Sequence, residues 1–155
     1  MNRNINPELT QAIVQAQVTQ YFHQALGEVP AGLSLSYAAP IKNLQDLDPS
    51  ATVSCDDNDQ TATGPLNVQD GYWVHGIVDG QQQATLDRFG SAFSTLGWRV
   101  SNDNNGTIRG VTPDGYALIA DLNTVGSMSL SGSTPCFPRA NTVKGIAPVT
   151  AIPHP

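Results

Sequence analysis

Cys55 and Cys136 are the residues best suited to covalent chemistry in this sequence, and their separation of 81 positions matches neither a metal knuckle nor a C-x-x-C redox pair. Their flanks, the acidic run Asp56-Asp57-Asn58-Asp59 and the segment Thr134-Pro135-Cys136-Phe137-Pro138, read as ends of strands, where a covalent tie has an evident use. Two reduced thiols are the alternative. A disulfide would place the chain outside the cytosol, where such bonds persist. The three histidines, His23, His75 and His154, include no pair at ligand spacing, whereas a zinc site needs three or four convergent ligands. His75, next to Val74 and close to Trp73, suits a ring satisfied by a neighbouring backbone group better than a catalytic one. Asp57-x-Asp59-x-Thr61 opens like a calcium loop, but Ala62 stands where the sharp turn needs glycine and Val68 where the bidentate glutamate belongs. No metal is expected.

Other catalytic patterns are absent or incomplete. Gly90-Ser91-Ala92-Phe93 and Gly132-Ser133-Thr134-Pro135 lack the second glycine of a nucleophile elbow. Neither G-x-G-x-x-G after a strand nor a phosphate-binding loop occurs, so no nucleotide cofactor is implied. A glycoside hydrolase would need two acids about 5 to 9.5 Å apart; Asp87, Asp103, Asp114 and Asp121 are available, but their spacing selects no pair. The aromatic residues Tyr72, Trp73, Phe89, Phe93 and Trp98 supply either a core or a pocket for lipid or glycan. Tyr72, Trp73, His75 and Trp98 are the candidate pocket residues.

The elements that would position these groups can be read from periodicity. Asn6-Pro7-Glu8 offers a helix N-cap, and apolar residues Ile13, Val14, Val18, Tyr21, Phe22, Ala25 and Leu26 follow at helical spacing, with Gln11, Gln15, Gln17 and Gln24 on the wet side and Gly27 at the end. Leu33, Leu35 and Tyr37 alternate with serines as a half-buried strand does. Residues 41–70 read as loop with a short strand from Ala51 to Cys55, and the strand Tyr72 to Val78 is bounded by Asp70-Gly71 and Asp79-Gly80. Leu86, Phe89, Phe93 and Leu96 mark a second helix capped by Gly97. Four strands remain, near 98–101, 107–111, 115–122 and 127–131, separated by Asn105-Gly106, Pro113-Asp114-Gly115 and Gly126. Tyr116, Leu118, Ala120, Leu122, Met128 and Leu130 are the expected inner-face positions. The expected fold class is α+β: a two-layer sandwich with two amphipathic helices on one face of a mainly antiparallel sheet. One domain, residues 6–139, is expected, followed by an extended proline-rich tail, 140–155.

This order of elements resembles small actinobacterial cell-envelope lipoproteins of the mycobacterial LppA family. The likeness spans about residues 12–139 and rests on Cys55 after a loop, the helix end Leu96-Gly97-Trp98, the strand start Asp114-Gly115-Tyr116-Ala117-Leu118, and Leu130-Ser131-Gly132-Ser133-Thr134-Pro135-Cys136-Phe137. It implies an envelope location and carries no catalytic motif. Met1-Asn2-Arg3-Asn4 has neither an apolar stretch nor a small-residue cleavage site, so export calls for a leader, and anchoring for a lipidated cysteine, that this sequence does not include.

Composition restricts partners further. The 155 residues carry 7 Lys and Arg against 13 Asp and Glu, a net charge of −6, and the sequence pI is near 4.6. The basic residues are scattered singly, which excludes a phosphate-neutralising stripe and hence nucleic acid as partner. No run approaches the roughly 20 apolar residues of a membrane span. The expectation is a non-enzymatic, secreted or lipid-anchored envelope protein that binds protein, glycan or lipid. An acyl-chain carrier and a cell-wall glycan hydrolase are the rivals.

Overall fold

The computed structural model describes residues 5–56, 63–144 and 146–155. Helix α1 (Gln11–Gly27) precedes strands β1 (Ser34–Ser36), β2 (Ala51–Ser54) and β3 (Leu66–His75); helix α2 (Gln82–Thr95) follows. Then come β4 (Arg99–Asn102), β5 (Thr107–Val111), β6 (Ala117–Leu122), β7 (Met128–Ser133) and β8 (Ala151–Ile152). The strands form one antiparallel sheet in the order β4-β5-β6-β7-β3-β1-β8, with β2 beside the first half of β3 and β1 beside its last residues. This is the two-layer α+β arrangement expected from the periodicity.

Both helices lie on one face, and the register shows why. Val100, Gly110, Leu118, Gly132 and Asp70 form one row across β4, β5, β6, β7 and β3. A Cβ at Gly110 would lie 2.8 Å from the Phe93 ring of α2, and one at Gly132 would lie 2.9 Å from Phe22 and 3.0 Å from Val18 of α1. The row carries glycine where each helix presses hardest. Gly132→Ala should therefore overpack the α1 contact and destabilise by about 1 to 3 kcal/mol, seen as a lower denaturant midpoint with an unchanged slope.

Helix α1 begins a turn later than Asn6 suggested. Asn6 Oδ1 accepts from the Glu8 amide at 2.9 Å and so closes a separate turn, while Thr10 Oγ1 accepts from Ile13 N at 3.1 Å and caps the helix. Val14, Val18, Phe22, Ala25 and Leu26 are fully buried, but Ile13 is 50% exposed. Gln15, expected on the wet side, is buried and donates to Ser50 Oγ at 3.1 Å. Helix α2 ends as predicted: Gly97, at φ 82°, lets Trp98 N return to Phe93 O and its own amide to Ser94 O. The Trp98 ring then stacks on Phe93, with centroids 5.4 Å apart.

The strand expected over 72–78 occupies Leu66–His75 instead. Asp70-Gly71 does not break it, because the buried Asp70 carboxylate is satisfied by hydrogen bonds and Gly71 lies flat against Ser131. It stops at Gly76, φ 89°, where a Cβ would collide with the Gly32 carbonyl.

A disulfide joins Cys55 and Cys136 with Cα atoms 6.4 Å apart, tying the end of β2 to the segment after β7. The proline-rich stretch expected as an extended tail opens instead in a 3-10 turn, Arg139–Asn141, and its end docks on the sheet: Leu35 pairs with Ile152, Tyr37 N donates to Thr150 O, and Ile152 is fully buried. Pro148 and Pro153 flank a two-residue edge strand, a position that tolerates missing donors. The start of the calcium-like run, Asp57 to Ala62, lies outside the described residues. No helix among the described residues is long and apolar enough to cross a membrane.

Candidate functional site

Strand alternation sends neighbouring residues to opposite faces, and this divides the expected pocket. Tyr72 is fully buried on the helix side, where its ring meets Phe22 edge-on and stacks against Tyr37 at 4.8 Å. Trp98 is buried at the far end of that layer, against Phe93 and Tyr21. Trp73 and His75 lie on the opposite, helix-free face, each half-buried. The Trp73 indole donates to Gln45 O at 3.0 Å, and His75 Nε2 lies 2.7 Å from Ala38 O. The four residues therefore do not line one cavity. Phe89 and Phe93 belong to the sealed core.

The helix-free face has its own chemistry. Across β5, β6, β7 and β3 it carries Arg109, Ile119, Ser131 and Gly71 in one row. Thr107, Asp121, Ser129 and Trp73 form the row on one side; Val111, Ala117, Ser133 and Gln69 form the row on the other. Because Gly71 and Ser131 present almost no bulk, a concavity of about 460 Å³ forms there, bordered by Leu47, Asp48, Gln69, Ile119 and Ser133. Trp73 stands two residues along β3 from Gly71, on the same face. The signal for this site was the alternation of Ser129, Ser131 and Ser133 with Met128 and Leu130. If the apolar residues face the helices, the hydroxyls must face out.

Behind this concavity sits the main buried polar cluster. β1 and β2 both flank β3 on one side and leave a gap between them. Asp70, 8% exposed, fills that gap. Its Oδ1 accepts from Tyr37 Oη and from Gly71 N, both at 2.9 Å. Tyr72 Oη lies 2.7 Å from Val149 O and 3.3 Å from Asp70 Oδ2. Burial raises the Asp70 carboxyl above its usual range, opposed by these hydrogen bonds. Burial and then the Asp70 charge push Tyr37 up to about 12 and Tyr72 higher still. The cluster joins β3 to Tyr37, just after β1, and to Val149, just before β8.

A second tyrosine–aspartate pair closes the other end. Tyr21 donates to Asp114 Oδ1 at 2.6 Å, as does Thr112 Oγ1, so the β5–β6 turn is held against α1. Burial first, then Asp114, raises Tyr21 to about 12; Tyr116, beside it, is raised to about 12 for the same reasons. The remaining acids considered for glycoside cleavage are dispersed. Asp87 pairs with Gln83 on α2, Asp103 accepts from the Asn105 and Thr107 amides, and Asp121 accepts from Thr107 Oγ1. His154 approaches Val29 O at 2.9 Å, and no group of three or more His, Cys, Asp or Glu side chains converges among the described residues.

Comparison with protein-family models, with curated proteins and with solved structures gives no match.

Proposed function

We propose that this chain is an extracytoplasmic envelope domain that binds a neutral, hydroxyl-rich ligand, an envelope glycan, on its helix-free sheet face. The concavity floored by Gly71 and Ser131, with Ser133 and Gln69 beside it and Trp73 on the same face, carries the proposal. Sugars are bound by an aromatic plane for their C–H faces and by amide and hydroxyl partners for their hydroxyls, and this face offers both. The disulfide supports an oxidising compartment. Kinship with LppA-like lipoproteins, and attachment through a lipid-bearing cysteine ahead of this sequence, belong to the same proposal.

The two rival functions find less support. An acyl chain needs space between helices and sheet, and Phe22, Tyr72, Phe89, Phe93, Leu118 and Leu130 fill that layer with zero exposure. A hydrolase needs two carboxylates facing one groove, and Asp114 and Asp121 are each held by neighbouring hydroxyl groups on different turns and strands.

Titration with soluble peptidoglycan and envelope-polysaccharide fragments tests the proposal. Saturable binding should fall roughly tenfold or more in Ser131→Phe, which fills the concavity, and in Trp73→Ala, which removes the aromatic plane. Melting temperature serves as the folding control. Absence of saturable binding to any fragment, or binding indifferent to both substitutions, would contradict it.

A further inference from the structure

The sheet ends differently on its two sides. At one end β8 is two residues long and bracketed by prolines. At the other, β4 presents Arg99, Val100, Ser101 and Asn102, all exposed, in regular register with β5 and with no proline or bulge. Asp103 N donates to Thr107 O, so by antiparallel alternation Ser101 and Arg99 also bond to β5. The amides and carbonyls of Val100 and Asn102 consequently point away from the sheet. Long-lived soluble proteins usually blunt such an edge; among the described residues nothing covers this one.

Both faces beside the edge are shaped for an added strand. On the helix side, a groove of about 320 Å³ runs between β4 and α2, lined by Asp87, Gly90, Ser91, Ser94, Val100, Asn102 and Ile108. Val100 is 38% exposed at its margin. On the helix-free side, Arg99 and Arg109 occupy diagonal positions on β4 and β5, with only the small Ser101 between Arg109 and the rim. Both arginines are exposed, and neither forms an ion pair among the described residues. In a chain of net charge −6, two guanidinium groups stand together at this open edge, while the carboxylates beside it are engaged: Asp87 with Gln83, Asp103 with the Asn105 and Thr107 amides, and Asp121 with Thr107 Oγ1.

We propose that β4 is a docking edge for an extended acidic segment of another protein, which adds as a further strand. The residue opposite Val100 places a small apolar side chain in the α2 groove. Its two chain neighbours then project to the other face, where their carboxylates meet Arg99 and, across Ser101, Arg109. This holds for either strand direction, because alternation alone fixes the faces. A second copy of this chain fits less well, since pairing β4 with itself would bring four guanidinium groups to one seam. The edge is separate from the glycan surface and does not depend on it.

A fluorescently labelled peptide of alternating Glu and Val, compared with its Lys and Val counterpart, tests the proposal on the intact, oxidised protein. The acidic peptide should bind saturably and weaken with added salt; the basic one should not bind. Arg99→Glu combined with Arg109→Glu should weaken binding roughly tenfold or more. Val100→Pro removes an outward amide that β5 does not use and should abolish binding while the far-ultraviolet circular dichroism is unchanged. Equal binding of the two peptides, or retained binding in both variants, would overturn the proposal. So would sedimentation showing a dimer that Val100→Pro dissociates, which would assign the edge to a second copy.

Discussion

Reduction of the Cys55–Cys136 bond, or replacement of both cysteines by serine, should lower stability by about 4 to 5 kcal/mol in the chain-entropy description, because the bond closes a loop of 81 residues. For a chain of 155 residues that corresponds to a fall of roughly 10 to 15 °C in Tm. The local structure concentrates the effect. β2 is four residues long and, among the described residues, pairs only with β3, and its end is held by Cys55 N donating to Pro65 O as well as by the disulfide. On the other side, Phe137 is fully buried and bridges Leu66. Without the covalent tie, the open chain gains freedom across most of its length while the native contacts stay the same. Thermal unfolding with and without a phosphine reductant measures the effect, and the double serine variant should match the reduced protein. An unchanged Tm, or two thiols titrated in the native oxidised protein, would contradict it.

The layers of this fold were legible because its helices and hairpins obey local rules. The 3.6-residue stripe of Val14, Val18 and Phe22, the glycine stop at Gly97 and the turn residues between β4 and β7 each act within a few positions of themselves. Local rules misplaced β3, because Asp70-Gly71 is a turn signal by composition and becomes strand only through partners far away in sequence: Tyr37, 33 positions earlier, and β7, some 60 positions later. The docked C-terminal strand failed to register for the same reason. Prolines argue against an interior strand, yet an edge accepts them. The candidate site was half visible. Trp73 stands out by its type, but the two-residue period sends it to the face opposite Tyr72, and the concavity beside it depends on residues notable for lacking bulk, Gly71 and Ser131.

Asp70 provides a second large effect, with opposite outcomes for two replacements. Asp70→Ala removes the acceptor used by both Tyr37 Oη and Gly71 N and leaves these buried donors unpaired, so a loss of about 3 kcal/mol is expected. Asp70→Asn should behave otherwise. The single phenolic proton of Tyr72 serves chiefly the nearer acceptor, Val149 O at 2.7 Å, so Asp70 Oδ2, 3.3 Å from the phenol oxygen, receives the weaker bond and has no hydrogen of its own to offer that oxygen. A protonated carboxyl, or the amide nitrogen of asparagine, supplies that hydrogen while Oδ1 keeps its two donors. The sign of the pH dependence follows. Because the folded-state pKa lies above the ordinary 3.8, the folded form binds the proton more tightly than the unfolded one. The stability Asp70 contributes is therefore full below pH 3.8 and is lost as pH rises through the elevated native value. Asp70→Asn should remove this slope and hold neutral-pH stability within about 1 kcal/mol of the parent or above it. Denaturant unfolding of the three proteins between pH 4 and 8 separates the cases. Tyr37→Phe should be costly in the parent but nearly neutral beside Asp70→Ala, since the hydroxyl it deletes has already lost its acceptor. If the two substitutions instead add, the carboxylate is not what holds β1 and β3 together at this gap.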